Sequence, residues 1–317
     1  MHTNFRDAYR NFAAQMPDLP LFVQPWYLDV VCQDGAWDAA IVQKNGQAVA
    51  ALPFFLKQKW GWRYISTPPL CKHMGPYLLP EYRSLKWEMR LYTELIEQLP
   101  VGIAAFEQNF HYTVENWLPF YWAGFQQTTL YSYVLPLLDS EEVIFKRIEK
   151  NYRNKILSAE KRLNVQDDLP VTELHRLMGL TFERQGLNST VSLSLLQALV
   201  AALAEHHCGK LFFATDPQTN AVHSAALLAW DNHSAYYLTS GDDPNLRASG
   251  AGVLLKWAAI RYAKNVLGVP LFDFEGSMMR AIEQGRRDFA AQQRPYFRVR
   301  HEWSAWWKWA KWLRGRL

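Results

Sequence analysis

The chemistry this chain could perform starts from one six-residue stretch, Arg247-Ala248-Ser249-Gly250-Ala251-Gly252, which runs directly into a helical pattern. Glycines let backbone N–H groups come close to an anion. A helix start adds the positive end of its dipole, and the arginine adds a full charge. A pyrophosphate suits those three features; the alternative is that Gly250 and Gly252 only let the chain turn. Further on, Asp273 and Glu275 stand two residues apart at the end of the apolar run LFDF, on one face of a strand. Two neighbouring carboxylates push one pKa upward, and Glu275 is the better placed of the two to act as a base. Asp273 has a second reading, as the cap of the following turn or the partner of an arginine. Tyr296, in the closing stretch PYFRVRHEW, would protonate a leaving thiolate, or it is a buried tyrosine with a structural hydrogen bond. Arg153 and Lys155 in NYRNK, with Arg286 among Arg280, Arg287 and Arg294, would meet an anionic acceptor, or form a solvated face. A held donor, a base and an acid are what acyl transfer to an amine demands.

Other chemistries find less support. His206-His207-Cys208 sits at the end of a helical stretch, where adjacent side chains diverge, and no second pair accompanies it, so no metal site is expected. No motif surrounds a serine or cysteine nucleophile. The three cysteines, Cys32, Cys71 and Cys208, are far apart, which argues against a disulfide framework and fits a reducing compartment.

The elements that must position these residues repeat. Residues 45–70 and 219–243 each read as a β-hairpin, apolar runs bounded by Asn, Asp and Gly. A helical segment follows in each half, 85–98 and then 249–266. A short apolar strand comes next, in VGIAAFEQN and in VPLFDFEGS. Hairpin, helix and strand twice over predict a duplicated α/β unit. Between the halves, 128–137 reads as a strand. DSEEVIFKRIEKNYRNKILSAEKR then reads as one charged amphipathic helix, capped by Asp139 or Ser140, burying Ile144, Ile148, Tyr152 and Ile156. The expected domains are 1–139 and 140–302, PYFRVRHEW closing the second, with 303–317 as a tail.

The stretch 247–252, after an aromatic strand and ahead of a helix and the LFDF strand, resembles the acyl-CoA loop of the GNAT superfamily of N-acyltransferases. NYRNKILSAEKRLNV, followed by LFDFEGSM and RRDFAAQQRPYFRV, is similar to the Fem-type aminoacyltransferases and their BioF2-like acetyltransferase relatives. That resemblance implies an α/β (α+β) fold of two tandem GNAT-like domains, each a mixed, mostly antiparallel sheet flanked by helices. It also implies an acyltransferase. Two departures bear on the donor: the family's Asp-Phe-Gly-Gly strand end is Asp273-Phe274-Glu275-Gly276 here, and Arg286 stands where the family carries a lysine that assists transfer from aminoacyl-tRNA. A guanidinium stabilises an anion but cannot shed its proton. The departures favour acyl-CoA as donor; aminoacyl-tRNA, with a peptidoglycan precursor as acceptor, is the alternative and the only route to a nucleic-acid partner. A third alternative is a non-catalytic protein on a degenerate GNAT fold, binding membrane or partner.

With 317 residues, 49% of them hydrophobic, the chain can bury a real core, and a net charge of +4 does not by itself call for nucleic acid. The start MHTNFRDAYRNF has no apolar h-region, and no run is long enough to span a bilayer, so a cytoplasmic protein is expected. The 14 tryptophans exceed what a core needs, and five of them crowd the tail HEWSAWWKWAKWLRGRL among four basic residues. That composition fits a peripheral membrane contact, as would suit a lipid-linked amine acceptor. It equally fits a helix docked on its own protein or a dimer contact.

Overall fold

Two-residue loops in left-handed backbone join the first three strands of the chain. The computed structural model describes residues 5–187, 191–276 and 278–307, in two units. The first unit begins with α1 (Arg6–Ala14), α2 (Pro25–Val31), β1 (Ala36–Lys44), β2 (Gln47–Lys59) and β3 (Trp62–Ser66). It continues through β4 (Tyr77–Leu78), α3 (Leu85–Glu97), β5 (Ile103–Asn109) and α4 (Leu118–Trp122). Asn45-Gly46 and Trp60-Gly61, all four at positive φ, turn β1 into β2 and β2 into β3. The β1–β2 and β2–β3 pairings are antiparallel; β3 and β5, joined through α3, are parallel.

The chain passes into the second unit within β6 (Gln126–Pro136). There follow α5 (Glu141–Arg147), α6 (Lys150–Glu160), β7 (Asn164–Gln166), α7 (Val171–Arg184), α8 (Leu193–Glu205), β8 (Gly209–Thr215), β9 (Val222–Trp230) and β10 (Ser234–Asp242). Then come α9 (Ala251–Tyr262), β11 (Leu271–Asp273) and α10 (Arg280–Arg287). The strand order is β6-β11-β10-β9-β8-β7, with β10 and β11 the parallel pair. The sequence β8-β9-β10-α9-β11 thus repeats the pairing senses of β1-β2-β3-α3-β5: antiparallel, antiparallel, then parallel across a helix. The duplication read from the hairpins is a duplication of topology.

Both faces of the second unit's sheet are covered, which explains why β8 and β9 are continuous apolar runs. Phe212, Ala214, Ala226 and Leu228 join one core with Ile156 of α6 and Leu254, Leu255 and Ile260 of α9. Phe213, Ala225 and Leu227 are buried as well, and α7 packs on β9 and β10. The contact is close enough that a Cβ on Gly241 would lie 2.2 Å from the backbone of Leu177.

Two boundaries differ from the sequence reading. The segment read as one helix after Ser140 is two. Ser140 does cap it, accepting a hydrogen bond from Val143 N, but Ile148 takes an extended conformation and divides α5 from α6. The stripe survives the break in three of its four members: Ile144, Ile148 and Ile156 are buried, while Tyr152 is half-buried. The last strand, β12 (Gln292–Glu302), does not close the second half. From Pro295 onward it belongs to the first unit, where Arg298 to Glu302 pair antiparallel with β5. The units are therefore 5–130 with 295–307, and 131–294, because a strand is assigned by the neighbour it pairs with and not by its place in the chain.

Candidate active site

The site forms where two parallel strands part. β10 and β11 pair at only three positions, Ser234 with Leu271, Ala235 with Phe272 and Tyr236 with Asp273. β11 stops there, while β10 runs on to Asp242, with a register shift against β9 between Tyr237 and Thr239. The bared edge of β10 opens into a cavity of about 880 Å³ in the second unit.

The stretch 247–252 forms one wall. Arg247–Ser249 is a short 3₁₀ turn, Gly250 takes φ of 81°, and α9 begins at Ala251. All six residues from Arg247 to Gly252 line the cavity. Gly250 serves twice: its backbone is left-handed, and an added Cβ would press to 3.3 Å from the Lys155 carbonyl. Gly252 is needed for a different reason, since a Cβ there would lie 2.6 Å from Oδ1 of Asp242. That carboxylate oxygen accepts from Ser224 Oγ at 2.6 Å. Arg162 donates to the Ser249 carbonyl at 3.1 Å and fastens α6 to the loop. Arg162, Lys155, Arg184, Arg247, Lys256 and Arg286 face the cavity, against the carboxylates of Asp242 and Glu275. A concavity with that excess of positive charge concentrates anions.

Asp273 is fully buried and lies outside the cavity lining. Its Oδ1 accepts from Ser132 Oγ and from Glu275 N, each at 2.7 Å. Of its two sequence readings, the structure shows the turn cap. Glu275 lines the cavity at φ of 55°, and next to it Gly276 passes so close to β6 that a Cβ would fall 1.9 Å from the Tyr131 carbonyl. Arg286 also lines the cavity, while its guanidinium donates to the Phe274 carbonyl at 3.1 Å and the Ile282 carbonyl at 3.2 Å. Lys155 faces the cavity across the Tyr152 ring.

Two expected site residues are elsewhere. Arg153 closes the end of α5, donating to the carbonyls of Lys146 and Ile148, because the break at Ile148 leaves those acceptors without a helical partner. Tyr296 is buried in the first unit, its ring edge-on to His73 with centroids 4.7 Å apart.

Several cavity residues escaped the sequence reading, and three of them bear on the chemistry. Tyr237 stands where β10 leaves β11. Burial, and then the charge of Asp242, push its hydroxyl well above the ordinary phenol range, so it keeps its proton. Lys256, half-buried one turn into α9, donates to the Gly252 carbonyl at 3.1 Å and lies 5.4 Å from the Tyr237 ring centroid. Burial lowers its pKa; Asp242 opposes the shift, and Arg286 and Arg247 add to it. His223 of β9 is the third. The available signal was the alternation along SAYYLTSG, which puts Tyr237 and Tyr236 on opposite faces.

Residues 146–289 match the family model described as an acetyltransferase (GNAT) domain, a span that contains every residue lining the cavity. The second unit is thus a GNAT acyltransferase domain. Solved structures extend the likeness of fold to both units. FemX aligns with a TM-score of 0.69 at 15% identity, over 94% of this chain and 96% of its own. A tandem GNAT protein from the clavulanic acid biosynthesis pathway aligns at 0.57 and 11%, over 94% and 93%. The C-terminal domain of a putative lysylphosphatidylglycerol synthetase from Agrobacterium fabrum aligns at 0.55 and 10%, over 94% and 92%. The chain shares the tandem GNAT fold of these structures, and the GNAT domain at 146–289 makes it an acyltransferase. No curated protein matches its sequence.

Proposed function

We propose that the chain transfers an acyl group from acyl-CoA to an amine of a cell-envelope precursor or a similar polar acceptor. The observation that carries this reading is the left-handed glycine start of α9 opening onto a cavity ringed by six basic side chains. A phosphate-bearing donor fits that cradle: Gly250 and Gly252 put no side chain of their own over the first turn of α9, where Ala251 N donates to Ser249 Oγ at 3.3 Å, and Arg247 adds charge at the rim. The donor would supply an activated acyl group. Along the bared edge of β10, backbone groups not used by β11 would hold its extended arm, as a sheet edge does. Glu275 would accept the proton of the attacking amine. Tyr237, protonated at all working pH values, would give a proton to the departing thiolate. The charge of Lys256, one turn into α9, would meet the charge that develops at the carbonyl oxygen. The envelope acceptor rests on the Fem-type resemblance, which also supports placement on the cytoplasmic side of a membrane.

A ligand that binds only the folded state raises its stability, by about 2.7 kcal/mol at a hundredfold excess over Kd. For a domain of this size that is a rise in melting temperature of about 5 °C or more. Acetyl-CoA is expected to produce such a rise, and Arg247→Ala to reduce it while leaving the unliganded melting temperature unchanged. Replacing Gly252 is a poorer test, since any side chain meets Asp242. The Fem-type resemblance and the density of basic residues at the cavity favour a second reading, aminoacyl-tRNA as donor. Protection by charged tRNA without any effect of CoA would establish that donor and end the CoA reading.

A further inference from the structure

Equivalent hairpins of the first unit use their turns differently. Asn45-Gly46 joins β1 to β2 with φ of 53° and 80°, the pair of residues that a left-handed turn favours. Trp60-Gly61 joins β2 to β3 with φ of 52° and 81°. A tryptophan gains nothing from that backbone, which is unfavourable for a bulky side chain, and gains nothing from burial, since it is 65% exposed. Selection for folding alone does not explain an indole held outward on a strained turn.

Other exposed apolar side chains gather at the same end of this sheet. Arg63, at the start of β3, donates to the Val101 carbonyl, and Val101 stands 90% exposed on the turn before β5. Trp303 N donates to the Ala104 carbonyl, which brings the chain end to β5, and Trp307 packs on Tyr64 and Trp62 of β3. Trp306 beside it is 68% exposed. The ring of Phe125 lies 5.7 Å from Trp303, and three residues before it Trp122 at the end of α4 is 64% exposed. Trp60, Val101, Trp122, Trp303 and Trp306 therefore surround one end of the first unit.

From this arrangement we infer that the end of the first unit carrying Trp60, Trp122 and Trp306 docks on the surface of an anionic lipid bilayer. Two features select a bilayer among possible occupants. The exposed groups are dominated by indole, which settles at the headgroup level because one part is apolar and the other donates a hydrogen bond. The accompanying charge is mainly basic: Lys59 lies 4.7 Å from the Trp60 ring centroid, and in the sequence Lys308, Lys311, Arg314 and Arg316 follow Trp307, with Glu302 the one acidic residue from 301 onward. No helix among the described residues is long and apolar enough to cross a membrane, so the contact is peripheral.

The inference does not depend on the acyl donor, and its test reads the two separately. Full-length protein is mixed with vesicles of phosphatidylcholine alone or with phosphatidylglycerol added, and floated through a density gradient. Flotation is expected with the anionic vesicles, weakened but not abolished by salt, since screening removes the ionic part and leaves indole burial. A chain ending at Trp307 keeps the contacts to Tyr64 and Trp62 and should bind anionic vesicles on the order of a thousandfold more weakly at low salt. The triple variant Trp60→Ser, Trp122→Ser, Trp306→Ser should stay in the heavy fraction with an unchanged melting temperature and unchanged acetyl-CoA response. Absence of flotation from either vesicle overturns the inference, as does flotation that survives the triple variant. A dimer seen in sedimentation that the triple variant dissolves, without vesicle binding, assigns the surface to a second copy of this chain.

Discussion

At the scale of single residues, the site divides into groups that touch the cavity and groups that hold them there. Glu275 and Tyr237 face the cavity. Glu275→Gln and Tyr237→Phe are each expected to lower kcat by about 10²- to 10⁴-fold, the usual worth of a positioned acid or base. The acetyl-CoA shift in melting temperature should be kept in both, and a variant that loses it has lost binding instead. Asp273 acts through another residue. Its carboxylate fixes the backbone of Glu275 and the hydroxyl of Ser132, so Asp273→Ala strands two buried donors. Its expected cost is about 1–3 kcal/mol in chemical denaturation, with activity lost because Glu275 is no longer aimed. Asp273 and Glu275 were legible as a pair, with Glu275 the better base, but which of its readings Asp273 follows was not. Spacing along a strand shows that two side chains share a face; only the turn at Glu275, with its positive φ, sends one carboxylate inward and the other toward the cavity.

At the scale of elements, two glycine contacts shape the opening between β10 and β11. Gly250→Ala places a Cβ on left-handed backbone and against the Lys155 carbonyl, an expected loss of about 1–2 kcal/mol with weakened acetyl-CoA binding. Gly276→Ala is expected to be worse, on the order of 3 kcal/mol or more, because its Cβ would meet the backbone carbonyl of Tyr131, which cannot move without breaking β6 from β11. Urea denaturation of the two variants ranks them, and equal stabilities would contradict the close approach of β6. The glycine loop was readable from sequence because the backbone conformation it needs admits few residue types. The break between α5 and α6 was not, since the buried stripe keeps its period across it and Arg153 reads as one more surface cation until its carbonyl partners are seen.

At the scale of the whole molecule, two buried histidines are expected to make the first unit sensitive to acid. The first unit buries His73 and His111 with their rings edge to face, centroids 5.2 Å apart. Burial lowers both pKa values, that of His111 from 6.5 to about 3, and the neighbouring His111 and Lys72 lower His73 further. Between those values the unfolded chain holds protons that the folded unit refuses, so stability falls as pH drops from 6.5 toward 3. Each histidine contributes about 1.4 kcal/mol per pH unit within its window. His111→Gln should flatten the acid limb of the first unit's stability curve by one proton while leaving that of the second unit unchanged. Urea titrations at a series of pH values, followed by hydrogen exchange resolved by unit, would show this; an unaltered limb would mean that His111 is charged or exposed in the native state.

What the sequence determined by itself is whatever depends on local conformation and on burial pattern: the hairpins, the duplicated order of elements, the glycine start of α9, and the existence of the LFDF strand, though it carried that strand on to Glu275 where β11 ends at Asp273. Those features follow from which residues tolerate left-handed backbone and from the period of apolar side chains. The tertiary structure alone decided the rest. It sent β12 to the first unit and Tyr296 with it, and it parted β10 from β11 so that Tyr237 and Lys256 line the site. Pairing between distant strands depends on neighbours that no local pattern specifies, and the chemistry of this chain sits at a place where one such pairing stops.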